Sequence, residues 1–143
     1  MIYDVQRFHK KFGLPDGAAL DNLIDIMHDS ELQNFRVKFI QEELDELKLA
    51  FSEKNKVGVF DALIDICYVA LGTALFAGIS PEQWKQGWSA VQNCNMQKTR
   101  AKNAGESKRN SQFDIVKPKG WQGPEKQLAE ILNITVGGEN DRA

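Results

Sequence analysis

Glu42, Glu43 and Glu46, followed by Asp61 and Asp65, are the residues of this chain best placed to do chemistry. They read E-E-L-D-E and D-A-L-I-D, and the second motif opens an otherwise apolar run, Ala62 to Ile79. Taking an unpaired carboxylate out of water costs several kcal/mol even after relaxation. Acids at the head of such a run therefore call for a positive partner. An all-oxygen set of ligands suits a hard divalent cation, Mg²⁺ or Mn²⁺.

Spacing supports a shared site. Residues three and four apart lie on one helical face, as do Glu42 with Glu46, Glu43 with Glu46, and Asp61 with Asp65. If the two helices pack antiparallel across a short loop near 54–56, the patches lie at similar depth and converge. E-E-L-D-E taken alone also describes a solvated helix face. A di-iron centre in a four-helix bundle needs Glu-x-x-His motifs. Neither His9 nor His28 follows a glutamate by three, and both are expected at the surface or at a cap.

The elements that must position these acids read as helices. A first helix is expected over 2–12, stopped by Gly13 and Pro15. Segment 16–30 is ambiguous and allows a short helix. Ser30 with Gln33 resembles a capping box. Phe35, Phe39, Ile40, Leu44, Leu47 and Phe51 then recur with helical period. A buried helix follows from about 57 to 77, with Gly78 as its stop. Ser80-Pro81-Glu82 restarts a helix, expected to run through Trp84, Trp88 and Met96 to about Ala101. Trp84 and Trp88 are expected in the core or at a subunit interface, and Met96 in the core. Gly72 would allow close helix approach. Beyond 102 the pattern breaks into loops, with a last helix at 124–133.

The fold class expected is all-α: an antiparallel bundle of about four main helices with a loop-rich C-terminal segment. One domain is expected over 1–133, with 134–143 a disordered tail. The apolar helix is too hydrophobic on every side for a small monomer, which predicts a homodimer or homotetramer.

Charge is unevenly spread. Residues 40–65 hold seven acids against three bases, and 98–119 hold seven bases against two acids. That polarity fits a cation site on one element and phosphate-binding groups on another, although two solvated faces would read the same. The net charge of −2 gives no reason to expect nucleic acid or an anionic membrane as partner. Cys67 and Cys94, each within a helical pattern, read as small buried thiols of a reducing cytosol. The N-terminal MIYDVQRFHKKFG lacks the apolar core of a signal peptide. The chain is expected to be cytoplasmic and not to cross a membrane.

The acids, spaced E-E-x-x-E and then an Asp-bearing patch, resemble the signature of the all-α nucleoside triphosphate pyrophosphohydrolases, the MazG-like superfamily. D-A-L-I-D-I-C-Y-V-A-L-G-T-A-L-F-A-G-I (61–79), N-M-Q-K (95–98), K-P-K-G-W (117–121) and F-H-K-K-F-G (8–13) are similar to its phosphoribosyl-ATP-pyrophosphohydrolase-like branch. The usual second patch there is Glu-x-x-Asp. Here position 62 is Ala and the acid stands one residue earlier, as Asp61.

The resemblance implies hydrolysis of a (deoxy)nucleoside triphosphate to monophosphate and pyrophosphate. It implies Mg²⁺, with Mn²⁺ as substitute, held by Glu43, Glu46, Asp61 and Asp65. Glu42 would be an outer ligand or the general base. Lys98 and Lys117, with Lys119 as a further candidate, would neutralise phosphate oxygens, Asn95 would hydrogen-bond phosphate or sugar, and Trp121 would stack a base or cover the site. Two rivals stand beside this reading. One is the phosphoribosyl-ATP hydrolase of histidine biosynthesis. The other is a helical interaction protein that kept the fold and lost activity.

Overall fold

A computed structural model describes residues 1–18 and 26–135. Residues 19–25 of the ambiguous segment 16–30 and nearly all of the expected tail lie outside the described residues. Helices dominate what is described: α1 (Ile2–Phe12), α2 (Ser30–Ser52), α3 (Lys56–Phe76), α4 (Pro81–Met96) and α5 (Glu125–Ile131). Two short strands, β1 (Thr99–Arg100) and β2 (Ile115–Val116), pair antiparallel. The chain divides into two compact units, Met1–Trp84 and Lys85–Ala143.

In the first unit α1 is amphipathic, and buries Ile2, Val5 and His9 at helical spacing. Gly13 ends it in the left-handed region at φ 66°, which a glycine enters without a Cβ penalty. Ile2 and Val5 pack with Leu71 and Leu75 of α3, and Tyr68 and Trp84 lie against that cluster.

The dominant packing joins α2 to α3, which run antiparallel around the loop at 53–55. Asn55 caps α3, its side chain accepting from the Gly58 N–H at 3.0 Å. A Cβ built on Gly58 would lie 3.1 Å from the Ala50 Cβ, so glycine lets the two backbones close up beside the loop.

The N-cap of α2 differs from expectation. Asp29, one residue earlier than Ser30, accepts from the Leu32 N–H at 2.9 Å. Gln33 instead donates back to the Ile26 and Met27 carbonyls. A carboxylate is an acceptor at least as good as a hydroxyl at this position. The restart at Ser80 is a reciprocal capping box: the Gln83 N–H donates to Ser80 Oγ, and the Ser80 N–H to Gln83 Oε1.

Burial departs further from the sequence pattern. Burial on α3 is concentrated in its C-terminal half, through Val69, Leu71, Gly72, Ala74, Leu75 and Phe76, with Ala62 the one buried residue of the first half. Phe60, Leu63 and Ile64 in its first half are exposed. On α2 the buried residues are Arg36 and Ala50, whereas Phe35 and Phe51 of the apolar stripe are exposed. His9 is buried at 3% exposure rather than lying at the surface, because its Nδ1–H donates to the Pro15 carbonyl and its ring meets Phe76 edge-on. Met96 is exposed rather than in the core, at the last turn of its helix. Trp88 is exposed while Trp84 reaches the cluster. Cys94 is buried as expected, but Cys67 is exposed.

In the second unit α4 stops at Met96, five residues short of the expected end. Thr99 and Arg100 are extended there, paired with Val116 and Ile115. Asp114 ties the intervening loop, accepting from Ser107 Oγ and Arg109 Nη1, both at 2.7 Å. The Ser107 hydroxyl, with the Ile115 N–H and Arg109, holds its carboxyl below the usual carboxylate range.

Candidate functional site

The acid patch is built by the α2–α3 pair. Glu42, Glu43 and Glu46 lie in the middle of α2, and Asp61 and Asp65 in the first half of α3. Glu43 and Asp65 are half-buried, while Glu42, Glu46 and Asp61 are exposed. Glu43 is the focus of the group. Partial burial pushes its carboxyl above the ordinary range, followed by the charges of Asp65, Glu46, Glu42 and Asp61, in falling order. All four of the other acids therefore act on this one side chain, across two helices.

Asp45 shows what an ordinary helix-surface acid does here. It accepts from Lys48 Nζ at 2.7 Å and Gln41 Nε2 at 2.9 Å, and its carboxyl is held below the usual range by those bonds. Among the described residues, none of the five acids of the patch pairs with a lysine or arginine. The patch accumulates negative charge that its own chain does not neutralise.

The donor set is oxygen only, which suits Mg²⁺ or Mn²⁺ rather than a metal preferring nitrogen or sulfur. In this conformation, among the described residues, no three His, Cys, Asp or Glu side chains are drawn together closely enough to hold a metal ion.

Asp61 stands apart from the rest. It is exposed, and its charge acts least on Glu43. Ala62, at the position where the resembled pattern carries glutamate, is only 2% exposed and faces inward.

The second unit gathers the other candidates. The Trp121 indole N–H donates to the Cys94 carbonyl at 2.8 Å. Lys117 Nζ lies 4.3 Å and Lys98 Nζ 5.0 Å from the Trp121 ring, both in cation–π range. Lys98 also donates to Asn95 Oδ1 at 2.7 Å. Asn95, Lys98, Lys117 and Trp121, though far apart in sequence, thus form one cluster. The indole there holds two ammonium groups. Lys119 is exposed and stands outside these contacts.

Sequence reasoning passed over Arg36. It is 6% exposed, and donates from Nη2 to the Val69 carbonyl at 2.9 Å and from Nε to Thr73 Oγ1 at 3.1 Å. The rings of Phe76 and Phe39 lie 4.9 and 5.4 Å from its guanidinium. The one signal for it was a lone arginine seven residues before Glu43, in line with that acid on the same helix face.

A helical fold with paired acid motifs on adjoining antiparallel helices defines an all-α pyrophosphohydrolase. A model of the phosphoribosyl-ATP pyrophosphohydrolase family matches residues 5–92, and the chain belongs to that family. The match takes in all five acids and Arg36 but ends before Asn95, Lys98, Lys117 and Trp121. Among curated proteins and solved structures, none matches the chain.

Proposed function

We propose that this protein is a Mg²⁺-dependent nucleotide pyrophosphohydrolase, which cleaves a (deoxy)nucleoside triphosphate to its monophosphate and pyrophosphate. The observation that carries the reading is the oxygen-only set of five acids on the paired stretches of α2 and α3, none of which, among the described residues, pairs with a lysine or arginine. Family membership supplies the reaction class.

Glu43, Glu46, Asp61 and Asp65 would hold the divalent ions, with Glu42 as outer ligand. When bound, such ions neutralise phosphate charge and lower the pKa of a coordinated water. Glu42, exposed at the edge of the patch, takes the proton of the attacking water as general base. In the second unit, Lys98 and Lys117 are the candidates for phosphate oxygens and Asn95 for phosphate or sugar. Trp121 serves here as the post that gathers the two lysines, since its ring already carries both.

A second reading, phosphoribosyl-ATP as substrate, is favoured by the family match itself. Both substrates are cleaved at a phosphoanhydride, so the same acids serve either. The discriminating experiment is pyrophosphate release across canonical, deoxy and damaged triphosphates and phosphoribosyl-ATP, with and without Mg²⁺. Release from phosphoribosyl-ATP alone selects the second reading. No release from any member, with no Mg²⁺-dependent gain in thermal stability, leaves the inactive interaction protein. A Glu42→Gln variant that keeps near-normal turnover with metal bound removes the base role.

The working form in this reading is a cytoplasmic homodimer or homotetramer. Phe60, Leu63 and Ile64 of α3 are 67%, 47% and 47% exposed in the single chain, an apolar face that a second copy would cover. The same helix is long and apolar enough to cross a membrane. Asp61 and Asp65 within it argue for a protein partner, since an acid at mid-membrane costs roughly 2.5–3.5 kcal/mol on insertion scales. Light scattering of the purified chain checks the assembly.

A further inference from the structure

Two contacts along α2 and α3 share one register, a Cβ built on Gly72 lying 3.0 Å from Arg36 Nη2 and a Cβ on Gly58 lying 3.1 Å from the Ala50 Cβ. Midway between them the same register sets Glu43 opposite Asp65. On α2 these positions are 36, 43 and 50, and on α3 they are 72, 65 and 58. Each step is seven residues, taken in opposite directions. That is the heptad repeat of two antiparallel helices. The acid layer sits in the middle, about 10 Å from each flanking layer at 1.5 Å per residue.

The flanking layers differ in how they hold. At the loop end Ala50 meets Gly58, a small-residue contact that brings the backbones close. At the far end, glycine again removes a Cβ, but the space is shared by the Arg36 guanidinium and the His9 imidazole, each 3.0 Å from where that Cβ would lie. Arg36 bonds the carbonyl of Val69, the residue one helical turn beyond Asp65, and the hydroxyl of Thr73. Among the described residues, no carboxylate pairs with it; burial alone acts on its charge and pulls its pKa below the ordinary value. An apolar residue would fill such a space at less cost in desolvation. What arginine adds is direction, because its planar donors fit acceptors in one geometry. Apolar packing tolerates a slide or a roll that two fixed hydrogen bonds do not.

We propose that Arg36 is a positioning residue for the acid site. By gripping Val69 and Thr73 over Gly72, it sets the register and rotation of α2 on α3 that put Glu43 opposite Asp65. The loop fixes one side of the acid layer and Arg36 the other. The role rests on the pyrophosphohydrolase reading for its purpose, but the geometric claim is testable without it.

The test uses Arg36→Met, Arg36→Lys and Gly72→Ala in the full chain, with two readouts. Calorimetry with Mn²⁺ measures metal affinity in the absence of substrate. Nitroxides on exposed Cys67 and on a cysteine replacing exposed Lys38 measure the α2–α3 distance, with labelled chains diluted in unlabelled ones. Arg36→Met is expected to weaken Mn²⁺ binding about tenfold or more, the scale of losing a residue that orients metal ligands. It should also broaden or shift the distance distribution. Arg36→Lys keeps the charge and one donor, and should recover part of both. If Arg36→Met does not fold, Gly72→Ala, which places a methyl against Nη2, should move both readouts in the same direction. An unchanged distance distribution in Arg36→Met or Gly72→Ala overturns the proposal, whatever the metal does. A distance change with wild-type metal affinity overturns it too. Absence of Mn²⁺ binding in the parent chain refutes the pyrophosphohydrolase reading, and the proposal with it as a statement about the site. A distance change would then leave Arg36 as a determinant of helix register alone.

Discussion

Two layers of the same helix pair treat charge in opposite ways. At one, Arg36 is buried alone and satisfied by a carbonyl, a hydroxyl and aromatic faces. Seven residues along α2, the acid layer is partly or fully exposed and, among the described residues, pairs with no lysine or arginine. A buried charge is tolerated when neutral groups meet its donors. A cluster of like charges is tolerated only where water or a counterion reaches it. The first layer spends its charge on holding the helices, and the second keeps its charge available for a ligand.

The largest effect expected is on the acid layer. Asp65→Asn, which acts most strongly on Glu43, should lower pyrophosphate release about a hundredfold or more, as removal of a transition-state electrostatic group does. Thermal stability without metal should hold or rise. A loss of activity matched by unfolding would break the contrast between the layers. Next is the arginine layer. Arg36→Met removes two hydrogen bonds and should destabilise the metal-free protein by about 1–3 kcal/mol in urea unfolding. A neutral result would mean that Arg36 holds nothing.

At the loop layer, Asn55→Ala removes the α3 cap and should cost about 1 kcal/mol, with Mg²⁺-dependent activity retained because Arg36 still sets the far side. Activity falling more steeply than stability would shift the positioning role to the loop. The smallest effect is a change of pH dependence. The raised Glu43 carboxyl binds its proton more tightly folded than unfolded. Its contribution to stability is therefore fully present below the unfolded carboxylate range and lost as pH rises through the folded value. Thermal melts of metal-free Glu43→Gln should show a shallower fall of stability with rising pH than the parent. An identical slope would mean that the acids do not act on Glu43 as the geometry has it. Asp45→Asn should do the reverse, since its carboxyl is lowered by Lys48 and Gln41.

Local signals carried the helices well. The Gly13 stop, the Ser80 N-cap and the short loop between α2 and α3 each rest on residues within a turn of one another. Their physics is read from adjacent letters. The five acids were legible for the same reason, because three- and four-residue spacings place them on one face of each helix. Errors came where a distant partner decided. Ser30 lost the cap to Asp29 as Gln33 turned back to Ile26 and Met27. The α4 helix gave up its last turns to a strand pair with residues 115–116. His9 went inside because Pro15 and Phe76 were there to receive it.

The sequence by itself determined which segments are helical, which faces carry acid, and that an all-α pyrophosphohydrolase was the family to expect. Periodicity and capping are local, and carboxylates three or four apart need no tertiary contact to share a face. Only the tertiary structure decided which layer of α2 meets which layer of α3. Arg36 finds Val69 and Thr73 more than thirty residues away, and Gly72 matters because the Arg36 guanidinium and the His9 ring arrive over it. A register between helices is a property of two surfaces together, and neither surface alone contains it.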